Sequence, residues 1–194
     1  MDKRRFLAAS ALGAVLPLHA GAAASTARKG VGLLTVAGAI GRSNRGPLDP
    51  ALDPLLARHG AAFDKAFVFD EATLAALPSV TIQPTVEYDR RPHALRGPLL
   101  GTLLESVGVA ADASAMLTLH ALDGYRPTLS LAEARRYRMI VALSMDGVPM
   151  SAGGLGPLWA VYDADRLPDF KDKPLDQRFA FSPWALYCVE VKNA

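Results

Sequence analysis

The stretch from Ala121 to Tyr162, ALDGYRPTLSLAEARRYRMIVALSMDGVPMSAGGLGPLWAVY, decides the fold of this chain. Its first letters indicate the end of a buried strand, followed by the turn dipeptide Asp123-Gly124. Ser130 precedes Glu133 by three positions, which is the spacing of a capping box. The first half of the stretch therefore predicts a strand, a turn and a short helix from residue 131 to about residue 138.

The second half of the stretch predicts a hairpin and a further strand. An apolar run, Met139 to Met145, is joined by Asp146-Gly147 to the next three residues, and this dipeptide favours a two-residue hairpin turn. The glycines that follow, at positions 153, 154 and 156, allow tight backbone turns before a strand from Leu158 to Tyr162.

Upstream of this stretch the chain alternates strands, helices and loops. Residues 31–40 predict a strand with one buried face, and the irregular segment 41–67 predicts a short helix from Pro50 to His59. This segment suits a lid or a partner surface, but a solvated insertion is the preferred interpretation because long loops are tolerated. Asp70 is a good helix N-cap, and Pro78 ends that helix.

The next elements are a strand, a basic loop and a helix. Pro84 interrupts the strand predicted for residues 80–88, which places that strand at a sheet edge or a bulge. A polar, basic loop covers residues 89–96, and Pro98 marks the first turn of a helix that ends at Gly108. Downstream, both faces of the final strand, residues 184–191, are largely apolar, so it is predicted to be central.

The order of these pieces resembles the oxidoreductase molybdopterin-binding domain, the cofactor domain of the sulfite oxidase family. The shared motifs are Asp123-Gly124-Tyr125, Asp146-Gly147 and Gly156-Pro157. The resemblance extends over about residues 33–192 through the flanking strands and helices. It implies an α+β fold with a mixed sheet and a few short helices, in a single domain from residue 25 to residue 194.

One departure from the family's pattern concerns the metal. Relatives that carry molybdenum place a cysteine just after the strand that follows the first helix, and Thr85 is the nearest counterpart here. The only cysteine, Cys188, lies about a hundred residues later on a predicted core strand, where a thiol usually packs as a small apolar group. The resemblance therefore implies a member of the fold without the metal's protein ligand, although molybdopterin itself stays a possible cofactor.

Candidate pocket residues come from several loops. By resemblance, Thr85, Asp123 and Tyr125 line the cofactor pocket, together with Gly154 and Gly156, whose backbone N–H groups suit an anion. The basic loop adds three cationic candidates for an anion-binding rim, namely Arg90, Arg91 and His93. For each group a structural role is the competing interpretation: a strand threonine, a turn glycine or a solvated basic loop. Scattered histidines without a metal-binding motif predict no metal site.

The first 24 residues predict a cleavable export signal. Lys3-Arg4-Arg5 is a basic start, residues 6–18 are apolar but too short to span a bilayer, and small residues follow. The arginine pair resembles a twin-arginine signal, with an ordinary secretory signal as the alternative. Removing this segment takes three of 21 basic and one of 19 acidic residues, so the mature chain is near neutral and predicts no nucleic-acid partner. The predicted location is the bacterial periplasm, with no transmembrane segment in the mature chain.

Three functions compete at this point. The missing thiolate favours a non-redox sensory or accessory module that binds a small anionic ligand or another periplasmic protein in the family's cofactor pocket. The intact DGY and GP motifs favour a molybdopterin-dependent oxidoreductase with cysteine-free metal coordination. A structural partner protein, using the loops 41–67 and 163–178, is the third alternative. The three differ in whether the chain is an enzyme at all.

Overall fold

A computed structural model of the chain describes residues 30–112 and 114–193, and the predicted export signal lies outside them. The strands are β1 Gly32–Gly38, β2 Ala66–Asp70, β3 Ser79–Ile82, β4 Leu95–Pro98, β5 Ala115–Ala121, β6 Thr128–Ser130, β7 Ile140–Ala142, β8 Ser144–Met145, β9 Val148–Pro149, β10 Trp159–Val161 and β11 Leu186–Asn193. The helices are α1 Pro54–Arg58, α2 Glu71–Ala75, α3 Leu100–Ser106 and α4 Leu131–Arg136, with 3-10 turns at Ala164–Arg166 and Leu175–Gln177.

The main sheet has the strand order β2-β1-β11-β5-β6. Strand β11 runs parallel to β1 and antiparallel to β5, so the sheet is mixed. Its central position confirms the prediction from its two apolar faces, because a strand with neighbours on both sides and cover on both faces has no solvent-facing side.

A smaller sheet in the order β3-β4-β8-β9 and the pair β7-β10 complete the architecture. Strand β4 crosses closely over β7, and Gly97 makes this approach possible, since a Cβ there would lie 1.9 Å from the carbonyl oxygen of Val141. The Asp146-Gly147 turn joins β8 to β9 with positive φ at both residues, which confirms the predicted two-residue hairpin.

One core joins the sheets and helices. The apolar face of α3 is buried at Leu100, Leu103 and Leu104, and so is the C-cap residue Val107. Both predicted helix starts are confirmed, because Asp70 and Ser130 each form a capping box. The protein is therefore of the mixed α+β class. No helix among the described residues has the length and apolar character needed to cross a membrane.

Three predicted boundaries are wrong. Residues 95–98 form β4 and are not loop or helix, because they pair with β3 and β8, a tertiary contact that outweighs the helix-start signal of Pro98. The strand predicted for residues 80–88 is shorter, since β3 ends at Ile82, ahead of Pro84. Helix α1 covers only the last part of the predicted helix at residues 50–59.

The segment between β1 and β2 is bound to the main sheet. The Asn44 side chain donates to the carbonyl oxygen of Val68 at 2.9 Å and accepts from its N–H at 2.7 Å. Further along the segment, the N–H of Ala62 donates to the Glu190 carboxylate, and His59 Nδ1 lies 2.9 Å from the Tyr187 hydroxyl, with which it forms a hydrogen bond. These contacts fix the segment at several points along its length, which is not the arrangement of an open lid.

Candidate functional site

Thr85, the counterpart of the family's cysteine, is committed to an internal contact. It lies half-buried in the loop after β3, and its backbone N–H donates to Asp165 Oδ2 at 2.7 Å. The other carboxylate oxygen of Asp165 accepts from Arg178 Nη1 at 2.8 Å. Burial alone would raise the pKa of Asp165, but hydrogen bonds from the Thr85 side chain and backbone and from Arg178 outweigh it and hold the pKa below its ordinary value.

Cys188 cannot replace the missing ligand. It lies on β11, fully buried in a small apolar cluster beneath the β1–β2 segment. Burial, and then the nearby Glu190 carboxylate, raise the pKa of its thiol, so the thiolate that a metal needs is disfavoured. With Thr85 bound to Asp165 and the single thiol in the core, the donor set does not fit a molybdenum centre held through a protein thiolate.

The basic loop holds its histidine between two carboxylates. His93 Nδ1 lies 2.6 Å from Asp146 Oδ2, and its Nε2 lies 2.9 Å from Asp89 Oδ2. These two hydrogen bonds, that to Asp146 first, raise the pKa of His93. Arg90 and Arg91 are exposed, and neither side chain forms a hydrogen bond or ion pair with the described residues. Of the predicted rim, only the two arginines are open to an anion.

The glycine loop is folded on itself. The N–H of Gly154 donates to the carbonyl oxygen of Ser151 at 3.3 Å, so it is already used. Gly156 packs on the backbone of Met150, where an added Cβ would lie 2.5 Å from the carbonyl carbon. Gly154 also borders an apolar cavity of about 250 Å³ beside the β8–β9 hairpin. The loop is therefore a close-packed turn and shows no N–H nest at Gly154.

The DGY motif forms a fixed turn with a partly exposed ring. Asp123 Oδ1 accepts from the backbone N–H of Tyr125 at 2.9 Å, which is an Asx turn. The hydroxyl of Tyr125 donates to the carbonyl oxygen of Ala180 at 2.5 Å and connects this turn to the loop before β11. The Tyr125 residue remains 47% exposed, so its ring can contact a ligand or partner.

This turn meets the loop that follows Thr85. Burial, then the charge and hydrogen bond of Glu87, raise the pKa of Tyr88 to about 12, with a smaller contribution from Asp123. Burial, then Asp123 and Glu87, also raise the pKa of Tyr125. The Trp184 side chain acts in the opposite sense and lowers the pKa of Tyr88. We call this group the acidic–aromatic cluster; its members are Glu87, Tyr88, Asp123, Tyr125 and Trp184.

The predicted pocket residues thus separate into two groups. Asp123 and Tyr125 join the acidic–aromatic cluster with Glu87, which follows Thr85 by two positions in the chain, whereas His93 and Gly154 flank the β8–β9 hairpin. The sequence also places Glu87 and Tyr88 shortly after Thr85. It did not indicate Trp184, Asp165 or Arg178, since no short motif distinguishes them from an ordinary strand or charged loop.

Comparison with family models and with curated proteins gives no further identification. No family model matches the chain, and no curated protein matches it either. Within residues 30–112 and 114–193, no three His, Cys, Asp or Glu side chains are grouped so as to hold a metal ion.

Proposed function

We propose that this chain is an exported, non-redox module that binds a ligand or a partner protein through the acidic–aromatic cluster. The observation that carries this proposal is the state of Thr85: its backbone N–H donates to Asp165, whose charge Arg178 balances. A residue held in this way is part of the scaffold beside the cluster and does not offer a metal ligand.

The physical argument against the redox alternative concerns the first coordination shell. Loss of a protein ligand normally lowers metal affinity and changes the geometry of the centre. Here the position that would carry the thiolate has a new internal partner, and the chain's single thiol is buried in a different part of the fold. The resemblance to the sulfite oxidase-like fold therefore supports a shared scaffold with a different use of the pocket.

The composition of the cluster indicates its ligand. Tyr88 is 54% exposed and lies beside Trp184, and the carboxylates of Glu87 and Asp123 act on both tyrosines. Aromatic faces beside carboxylates suit a ligand or partner side chain that carries an ammonium or guanidinium group. The small anion predicted from the sequence would instead depend on Arg90 and Arg91, since His93 is held by two carboxylates.

The redox question is tested by analysis of the mature protein purified from the periplasm of its own host. We expect neither molybdenum by elemental analysis nor fluorescence of oxidised pterin. Stoichiometric molybdenum with pterin would overturn the proposal and support the oxidoreductase, with Thr85 and its neighbours as an unusual coordination site.

The binding surface is tested through tryptophan fluorescence, because Trp184 is half-exposed while the other tryptophan, Trp159, is buried. Choline, glucose and succinate serve as cationic, neutral and anionic probes. We expect choline to change the emission in a saturable way, and Tyr88→Ala to weaken this response about tenfold, a loss typical of an aromatic wall in a cation site. Tyr187→Phe, at a tyrosine outside the acidic–aromatic cluster, is the matched control. A response to succinate alone, unchanged by Tyr88→Ala, would contradict the proposed surface.

A further inference from the structure

A second cleft lies beside strand β3, away from the acidic–aromatic cluster. It has a volume of about 450 Å³, within the range of ligand and peptide sites. One wall is the strand itself, and the other is formed by the residues after α4 and by the first 3-10 turn. The lining residues used below are Val80, Thr81, Ile82, Arg138, Arg166 and Leu167.

The backbone of β3 faces this cleft with free hydrogen-bonding groups. On the other side of β4, the carbonyl oxygen of Arg96 accepts a hydrogen bond from the N–H of Leu143 at 2.8 Å. The backbone N–H and C=O of Arg96 therefore point away from β3. For the same reason, the N–H and C=O of Thr81, which is paired with Arg96 in the register, point away from β4. The N–H and C=O of Thr81 lie on the outer edge of the sheet, where they form no backbone hydrogen bond with the described residues.

The sequence of this edge has no charged residue or proline that would hinder pairing with another strand. The letters SVTIQ, residues 79–83, are uncharged and rich in β-branched residues, which is the composition that promotes pairing with another chain. Other edges are guarded: Asn44 occupies the outer groups of Val68 on β2, and Pro149 interrupts β9. An unguarded edge beside a cleft indicates that a strand pairs there.

The opposite wall carries two arginines, Arg138 and Arg166, and one carboxylate, Asp163. Arg138 is exposed and its side chain forms no hydrogen bond or ion pair with the described residues. The Arg166 side chain is 83% exposed, and its Nε lies 3.4 Å from Asp163 Oδ2, a long contact that leaves the other guanidinium nitrogens available. The half-buried side chains of Val80, Ile82 and Leu167 provide apolar contacts between the two walls.

From these observations we infer that the cleft binds an extended, acidic peptide segment of a partner protein. The segment adds to the outer edge of β3 by main-chain hydrogen bonds at Thr81, and its carboxylates meet Arg138 and Arg166. The inference is independent of the proposed function, because the cleft shares no lining residue with the acidic–aromatic cluster.

The test uses fluorescein-labelled octapeptides of alternating valine and threonine in which two threonines are replaced by glutamate, glutamine or lysine. Fluorescence anisotropy measures their binding to the full chain. We expect the glutamate peptide to bind more tightly than the glutamine peptide, and the lysine peptide to bind weakest. Arg138→Gln with Arg166→Gln should weaken the glutamate peptide about fivefold, as expected for two exposed ion pairs.

The strand contribution is tested by Thr81→Pro, which removes an outward N–H without removing a bond to β4. We expect about tenfold weaker binding of the glutamate peptide. Thr128→Pro is the matched control, since Thr128 also lies on a short edge strand, β6, and the substitution should leave binding unchanged. In the unmodified chain, the peptide should slow hydrogen exchange at the Thr81 amide, a readout that does not depend on any variant folding.

Several outcomes would overturn the inference. Equal binding of all three peptides would exclude the arginine contacts. Unchanged exchange at the Thr81 amide in the presence of saturating peptide would exclude strand addition, and the cleft would then be an anion site at most. Sensitivity of peptide binding to Tyr88→Ala would assign the peptide to the acidic–aromatic cluster instead.

Discussion

At the scale of single residues, His93 connects the basic loop to the β8–β9 hairpin through its charge. Its folded-state pKa is raised, chiefly by the hydrogen bond to Asp146 and then by that to Asp89. A raised pKa stabilises the fold below the unfolded value of about 6.5, and this contribution is lost as the pH rises through the folded pKa. We predict that the urea midpoint decreases over this interval, measured at closely spaced pH values from 5.5 to 9.

The control for this prediction is His93→Gln, which keeps a polar side chain without the titrating ring. This variant should show a flatter midpoint over the same interval. The carboxylate side of the contact behaves in the opposite sense: the hydrogen bond to His93 lowers the pKa of Asp146, so that contribution is lost as the pH falls through the lowered value. An unchanged pH dependence in His93→Gln would show that the contact does not stabilise the fold.

Thr85 shows what the sequence can and cannot predict about a single site. The position was found because neighbouring motifs fix where the family's cysteine should be. Its partner, Asp165, lies 80 residues away in a loop whose charges give no local indication of a contact. A hydrogen bond of that range depends on how the loop packs, and packing is a property of the whole chain.

At the scale of elements, the Asn44 side chain makes the hydrogen bonds that a neighbouring strand would make with β2. Its amide satisfies both backbone groups of Val68, so the outer edge of β2 is closed by one side chain. We predict that Asn44→Ala destabilises the fold by about 1–2 kcal/mol, because two hydrogen bonds are lost and water replaces them only partly. Urea unfolding measures the change, with Arg42→Ala, also in the segment before α1, as the control expected to cost less.

Elements that depend on local contacts could be predicted from the sequence, whereas those that depend on tertiary contacts could not. The capping boxes at Asp70 and Ser130 and the turn at Asp146-Gly147 were predictable because all their partners lie within four residues. Strand β4 was not predictable in this way. Its residues carry a helix-start proline, and only pairing with β3 and β8, and the close approach at Gly97, make them a strand.

At the scale of the whole molecule, stability depends on the central strand β11. Val189 on this strand is fully buried. We predict that Val189→Asp removes the cooperative unfolding transition, because an unpaired charge in the centre of the main sheet costs several kcal/mol, comparable with the stability of a typical domain. Circular dichroism with urea detects this loss, and Lys192→Asp, exposed on the same strand, is the matched control. A normal cooperative unfolding transition for Val189→Asp would show that the main sheet tolerates a buried charge at its centre.

The position of β11 also has a consequence for biosynthesis. Its neighbours β1 and β5 precede it in the chain, and each gains its second strand partner only when residues 186–193 are present. A nascent polypeptide on the ribosome therefore cannot close its main sheet, whatever has folded locally. Until β11 is released, the strand edges of β1 and β5 that face it are exposed together, which favours chaperone binding.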